Sequence, residues 1–271
     1  MSTRTTPHRR MLVAIDMEKY SRQVNPQQRE SQATVVSALR EAADLGGLNR
    51  PSWQTQATGD GELAVLPAHV DELAVITRFV PELDRLLREH NHSRLREAAV
   101  RLRVAVHVGL VHLDSANGWA GDAVVKVCRL VNAAPLKRAL TMFPHAGAAL
   151  IVSDEIYRDI VRQRYDGLRP ERYGRIWVDD RDKEFGAPGW IYVPDENASS
   201  LAVPDSPLVE SPPTTAAHGQ LATNPVPRPS TPDGRLVGTL TAHGSAIAVG
   251  DHGQVSVESI GVPVAPSNGQ Q

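Results

Sequence analysis

Two aspartates, Asp16 and Asp60, have the positions that a pair of metal-binding carboxylates needs. Asp16 closes the apolar run 11–15, which predicts a buried strand, and Asp60 lies between two glycines, which predicts the tip of a hairpin. If the hairpin pairs beside the first strand, both carboxylates reach the same end of the sheet. Two oxygen ligands there can bind Mg²⁺ or Mn²⁺ and, through the cation, a nucleoside triphosphate.

The glycines that flank Asp60 allow two interpretations. Gly59 and Gly61 would let the backbone approach a phosphate closely, because they carry no Cβ atom. Alternatively, Asp-Gly is simply a favoured hairpin turn and Asp16 merely ends a strand. The sequence of the hairpin leaves both interpretations open.

The elements that would position these residues follow one another as strand, helix, hairpin, helix, strand, helix. The periodicities predict a helix over 26–45, a hairpin over 53–66, a helix over 70–90, an alternating strand over 102–113 and a helical segment over 121–142 that Pro135 should interrupt. This order predicts an α+β fold, namely a ferredoxin-like antiparallel sheet with helices on one face.

Composition excludes several classes of protein. The 271 residues include 29 basic and 31 acidic side chains, with a net charge of −2, so we expect neither a nucleic-acid nor a membrane partner. The single cysteine, Cys128, indicates a reducing compartment, and the longest apolar runs fall well short of a membrane-spanning helix. We therefore expect a cytoplasmic protein, and we interpret the basic run 94–103 as a solvated loop that leads into a strand.

Composition also changes sharply near Pro194. All 12 aromatic residues precede it, whereas 11 of the 20 prolines lie at or after it. A stretch without aromatic residues cannot bury enough apolar surface to offset the entropy of ordering. We expect a flexible N-terminus over 1–10, a folded domain over 11–194, a disordered Pro-rich linker over 195–233 and a Gly-spaced, β-prone tail over 234–271.

Four blocks of the folded part together resemble the catalytic domain of class III nucleotidyl (adenylate/guanylate) cyclases. The resemblance spans about residues 11–193 and is carried by the blocks 11–16, 58–65, 102–109 and 121–130. It implies a cyclase-like fold in which Asp16 and Asp60 bind Mg²⁺ or Mn²⁺. It also implies a catalytic role for Arg129, which would stabilise negative charge on a bound triphosphate.

Three nucleotide-binding positions depart from the pattern of that family. Val125 stands where an asparagine orients the ribose, and Gln56 stands where a lysine reads the purine. The second base-reading position is Gly118, which offers only its backbone. A valine can neither donate nor accept a hydrogen bond, so the resemblance implies that ribose positioning is lost.

The resemblance also implies a head-to-tail homodimer, because class III sites form between two protomers. Arg129 of one copy would then face the metal-binding aspartates of the other. A plainer interpretation makes Arg129 a solvated residue or part of an ion pair within its helix, near Asp122.

Three hypotheses for function follow. The chain is a divergent cyclase-homology domain that serves as a nucleotide sensor or signalling effector, or it is an active cyclase that uses an unusual base, such as a pyrimidine. The third hypothesis concerns the tail, which weakly resembles the prion-like, RHIM-type motifs of bacterial conflict systems and would recruit a protein partner through 234–264. A floppy, inert tail is the plain alternative.

Overall fold

The computed structural model describes residues 6–180 and 184–201 of the chain. They belong to one compact unit. The predicted tail over 234–271, and most of the predicted linker, lie outside the described residues.

A sheet of eight strands forms the centre of this unit. Seven of them follow the order β2-β3-β1-β4-β6-β8-β7, and β5 pairs with β4 alone. All pairs are antiparallel except β4 with β6. The strands are β1 (His8–Met17), β2 (Gln54–Ala57), β3 (Gly61–Val65), β4 (Leu102–Ser115), β5 (Gly118–Ala120), β6 (Ala148–Ser153), β7 (Gly174–Asp180) and β8 (Phe185–Tyr192).

Within the described residues, six α-helices accompany the sheet. They are α1 (Asn25–Leu45), α2 (Glu72–Ala74), α3 (Val80–Asn91), α4 (Asp122–Asn132), α5 (Ala134–Met142) and α6 (Asp154–Ile156). A π-helical turn, Val75–Phe79, joins α2 to α3, and another, Tyr157–Val161, continues α6. The predicted interruption is present. Pro135 lies in the first turn of α5, where its missing N–H costs no helical hydrogen bond, and the helix is interrupted between α4 and α5.

The helices lie in two layers, one on each face of the sheet. Helices α1 and α3 cover the face that carries Val13, Val104 and Val106, and α4 and α5 cover the face that carries Leu12 and Ala105. The predicted α+β, ferredoxin-like unit is confirmed, with α1 and α3 on one face. The predicted helical segment 121–142 forms α4 and α5 and covers the opposite face, not the face of α1 and α3, because β1 and β4 are apolar on both sides and each side needs a cover.

The packed unit extends slightly beyond the predicted boundaries. Strand β1 begins at His8, three residues before the predicted start at Met11, since His8, Arg9 and Arg10 all pair with β4. At the other end, Ala198 is fully buried, so the ordered chain continues past Pro194. Within residues 6–180 and 184–201, none of the helices combines the length and the apolar character that a bilayer crossing requires.

Candidate functional site

The two aspartates lie at the same end of neighbouring strands. Asp16 is opposite Gly61 in the pairing of β1 with β3, and the backbone N–H of Met17 donates to the carbonyl oxygen of Asp60 at 2.8 Å. The hairpin therefore pairs beside the first strand, as its sequence predicts. We call Asp16, Asp60 and the neighbouring Arg103 the carboxylate end.

The two hairpin glycines have different local roles. A Cβ atom on Gly61 would lie 1.9 Å from the carbonyl oxygen of Ile15, so Gly61 allows β3 to approach β1. Gly59 has φ of +87° and open space where a Cβ atom would be, while its carbonyl accepts a hydrogen bond from Gln32 Nε2 at 2.7 Å. The close approach predicted for Gly61 is thus to a neighbouring strand, and Gly59 is the glycine that faces open space.

Arg103 is a member of the site that our sequence interpretation missed. It lies directly opposite Asp16 in β4, and its Nη2 donates to Asp16 Oδ2 in an ion pair that is largely buried, with side-chain exposures of 12% and 17%. The interpretation of 94–103 as a solvated loop is wrong at its end, because Arg101 and Arg103 are both withdrawn from solvent. The alternation of β4 separates Arg103 from Leu102 and Val104, but only the register of β1 with β4 shows that Arg103 shares the face of Asp16.

The two predicted base-reading positions contact each other. Gly118, with φ of +88°, lies so near Gln56 that a Cβ atom on it would come within 2.5 Å of Gln56 Nε2. The glutamine amide therefore occupies the space that a side chain at 118 would take. Gln56 itself lies on the exposed edge strand β2.

The other two predicted positions lie one turn apart on α4. Val125 is 40% exposed, whereas its neighbours Ala123 and Val127 face the core. The guanidinium of Arg129 lies over the ring of Phe185, 4.7 Å from its centroid, which is a cation–π contact instead of the ion pair considered above. We call Gln56, Gly118, Val125 and Arg129 the α4 set.

Phe185, on which Arg129 packs, and Asp16 are far apart along the strands. In β8, Phe185 lies four residues from Gly189, which is opposite Ser153 of β6. One step beyond the last pair of β4 with β6, Ser153 is level with His107 of β4. Arg103, which is opposite Asp16, lies four residues from His107. Eight residue steps along a sheet correspond to roughly 26 Å. Arg129 therefore packs at a level of the sheet well removed from that of the aspartates of its own chain.

Comparisons with known proteins identify the fold. No protein-family model and no curated protein matches the chain. Among solved structures, an adenylate/guanylate cyclase/hydrolase from Silicibacter pomeroyi superposes with a TM-score of 0.51 at 19% identity, covering 70% of this chain and 99% of that one. The chain has the adenylate/guanylate cyclase fold.

Two further structures are similar to this cyclase-fold domain. The guanylyl cyclase Cya2 matches with a TM-score of 0.47 at 15% identity, covering 72% of this chain and 98% of that one. The guanylate cyclase domain of RhGC from Catenaria anguillulae, in complex with GTP, matches with a TM-score of 0.44 at 16% identity, covering 68% and 95%.

The carboxylate end of the cyclase-fold domain suits a cation that arrives with a nucleotide. Among the described residues, no cluster of three or more His, Cys, Asp or Glu side chains could form a protein-only cage. Mg²⁺ is usually held by one or two carboxylates together with substrate phosphates. Asp60 and the Oδ1 atom of Asp16, whose Oδ2 is bound to Arg103, fit that pattern.

A buried polar cluster fixes α4 above the sheet of this cyclase-fold domain. Lys126 Nζ donates to both oxygens of Glu155, at 2.7 and 2.9 Å, and His107 Nδ1 lies 2.9 Å from Ser153 Oγ. Burial, reinforced by the Lys126 ammonium, lowers the pKa of His107 to about 4. Although burial opposes it, the hydrogen bond from Lys126 lowers the pKa of Glu155 to about 2. The cluster sets the orientation of the helix that carries Val125 and Arg129.

Proposed function

We propose that this cyclase-fold domain binds a nucleoside triphosphate with Mg²⁺ or Mn²⁺ as a sensor or signalling effector, with little or no standard cyclase activity. The observation that carries the proposal is the exposed isopropyl group of Val125 on α4. At that position the resemblance calls for an amide that orients the ribose. Orientation of the attacking group supplies several kcal/mol of the barrier reduction in such reactions, on the order of 7 or more where it is complete. The domain would therefore bind the nucleotide but convert it slowly.

Each half of the proposed site has a distinct task. Asp16 and Asp60 hold the cation, which neutralises charge on the triphosphate, and Arg129 adds a guanidinium from the other side. Arg129 packs on Phe185, which lies eight strand steps, roughly 26 Å, from the level of Asp16. We therefore infer that two copies meet head-to-tail to complete the site. The guanidinium of Arg129 would then leave Phe185 and face the phosphates.

An active cyclase with altered base choice is the second candidate. Gln56 favours it, because its amide offers both a donor and an acceptor, unlike a lysine, and lies beside Gly118, where no side chain competes for the base. A pyrimidine triphosphate would fit this pair, since a smaller base leaves room for the glutamine.

Calorimetry and a product assay on the full chain test both candidates. Each of the four common nucleoside triphosphates is titrated with Mn²⁺ and then incubated to detect cyclic product. We expect binding that requires the cation, is lost in Asp60→Ala and persists in the exposed control Asp44→Ala, with no efficient product formation. Rapid product formation that Asp60→Ala abolishes would favour the active cyclase. The absence of binding to all four nucleotides would overturn both.

Mixing two variants tests the head-to-tail arrangement. Asp60→Ala and Arg129→Ala each remove one half of the site, so we expect neither to bind the nucleotide normally. In a mixed dimer one of the two sites is intact, and binding should return in proportion to the fraction of mixed dimers. A mixture that binds no better than its components would argue that the site lies within one chain.

A further inference from the structure

The guanidinium of Arg103 has a hydrogen-bond partner for one of its buried donors but not for another. Its Nη2 donates to Asp16 Oδ2, yet its Nε is buried without a hydrogen-bond partner among the described residues. Buried guanidinium N–H groups normally find acceptors, because leaving one unpaired is costly. The arginine thus keeps an unpaired donor beside Asp16.

Arg103 and a divalent cation require the same carboxylate. The side chains of Asp16 and Arg103 lie opposite each other on the face covered by α4 and α5, and the only other cross-strand neighbour of Asp16 is Gly61, which has no side chain. A cation at Asp16 would therefore lie beside the guanidinium, and the two positive charges would repel each other.

We propose that Arg103 is the internal counter-ion of Asp16, which a divalent cation must displace and which then turns to a phosphate of the incoming nucleotide. The cation alone competes poorly with the guanidinium. The cation together with a polyphosphate binds well, because the phosphate oxygens accept the N–H groups of Arg103 as Asp16 passes to the cation. The second step rests on the proposed function, whereas the competition for Asp16 does not.

Because Arg103 and the cation compete for Asp16, the ligand-free domain should bind a cation and a triphosphate together better than it binds either alone. A cation without nucleotide could be bound by the carboxylate of Asp60 and by only one oxygen of Asp16, because the other is paired with Arg103. Two such ligands make a weak site for Mg²⁺. A triphosphate without a cation would meet two carboxylates and be repelled. Arg103 is thus a positioning residue that couples the binding of the cation to that of the anion.

Binding of Mn²⁺ alone, measured by electron paramagnetic resonance on the full chain without nucleotide, tests the proposal. We expect Arg103→Met and Arg103→Gln to bind Mn²⁺ roughly tenfold or more tightly than the wild type, because the freed carboxylate no longer has a competitor. Arg103→Gln keeps a polar side chain beside Asp16 and guards against loss of folding in the methionine variant. Both variants should also gain thermal stability on addition of Mn²⁺, whereas the wild type should gain little.

The matched control is Arg50→Met. Arg50 and Glu62 form an ion pair of similar burial, with side-chain exposures of 14% and 15%, but Glu62 is opposite Ile15 and so lies on the other face of the sheet. This variant frees a carboxylate on the face of the sheet opposite to that of Asp16 and should leave Mn²⁺ binding unchanged. Equal Mn²⁺ affinities in the wild type, Arg103→Met and Arg103→Gln would overturn the proposal, even if nucleotide binding is found. Tighter Mn²⁺ binding by those variants would sustain it, even if no nucleotide binds.

Discussion

The carboxylate end and the α4 set expose their groups to water very differently. At the carboxylate end, Arg103 and Asp16 are largely buried and paired with each other, and beside them Arg101 is paired with Glu18. In the α4 set, Val125 is an exposed apolar side chain and Gln56 lies on an edge strand. One region is thus part of the structure that holds the sheet together, and the other lies largely on its surface.

This difference teaches where the chain can depart from the cyclase pattern at little cost. Removing one partner of a buried ion pair costs about 3–5 kcal/mol, whereas a surface substitution usually changes stability by less than about 0.5 kcal/mol. Asp16 therefore has a structural reason to be present, as the partner of Arg103. The side chain of Asp60 makes no hydrogen bond or ion pair within the described residues, so its presence has no such structural reason.

The largest expected effect is the loss of stability in Arg101→Met. Arg101 Nε donates to the carbonyl of Ala146 at 2.9 Å, Nη2 donates to those of Phe143 and Leu140, and Nη1 pairs with Glu18 at 3.0 Å. The substitution leaves these buried acceptors without their donor, so we expect the free energy of unfolding to fall by about 3–5 kcal/mol. Urea denaturation of both proteins at pH 7 measures it.

Arg85→Met is the control for that substitution. Arg85 also pairs with two acids, Glu82 and Glu89, but on the exposed surface of α3. Its denaturation midpoint should match the wild type. Similar losses in the two variants would show that burial does not distinguish the Arg101 ion pair from ion pairs on the surface.

The next largest effect is a pH dependence of the free energy of unfolding, which arises from His107 beneath α4. The pKa of His107 is lowered to about 4 in the folded chain, against about 6.5 when unfolded. As pH falls from 6.5 to 4, the unfolded chain takes up a proton that the folded chain does not, so stability is lost over that window. The full shift corresponds to about 3 kcal/mol. Urea denaturation at steps between pH 7 and 4 measures the loss.

His107→Gln isolates this contribution, because glutamine does not titrate. The variant should be less stable at pH 7 than the wild type, with a flatter profile between pH 6.5 and 4. The stability that the paired carboxylate of Glu155 contributes is lost at lower pH, between about pH 4.5 and pH 2, because its pKa is lowered to about 2 in the folded chain. Parallel profiles for the wild type and the variant above pH 4.5 would contradict the assignment to His107.

The sequence predicted those features that depend on local pattern. Period-two and period-3.6 repeats gave the strands and helices of the ferredoxin-like unit, and Gly-Asp-Gly gave the hairpin whose pairing places Asp60 beside β1. The break before α5 followed from the chemistry of Pro135.

Features that depend on register between distant segments could not be predicted in this way. The pair Asp16–Arg103 joins residues 87 positions apart and exists only because β1 and β4 align at that step. The contact of Gln56 with Gly118 likewise requires both hairpins to be placed. Alternation alone does not say which strands are neighbours, so these partners appear only in three dimensions.

The smallest expected effect on stability, and the most direct test of the α4 set, is Val125→Asn. Because Val125 is exposed on α4, the substitution should change the free energy of unfolding by no more than about 0.5 kcal/mol. An amide there can hydrogen-bond a ribose hydroxyl, and one net hydrogen bond of about 0.5–1.5 kcal/mol corresponds to nucleotide binding roughly two- to tenfold tighter. Calorimetry with Mn²⁺ and a nucleoside triphosphate measures it, and Val125→Ala, which offers no hydrogen bond, serves as control. If both variants bind the nucleotide as the wild type does, Val125 does not face the ribose, and the lack of an amide on α4 cannot explain weak turnover.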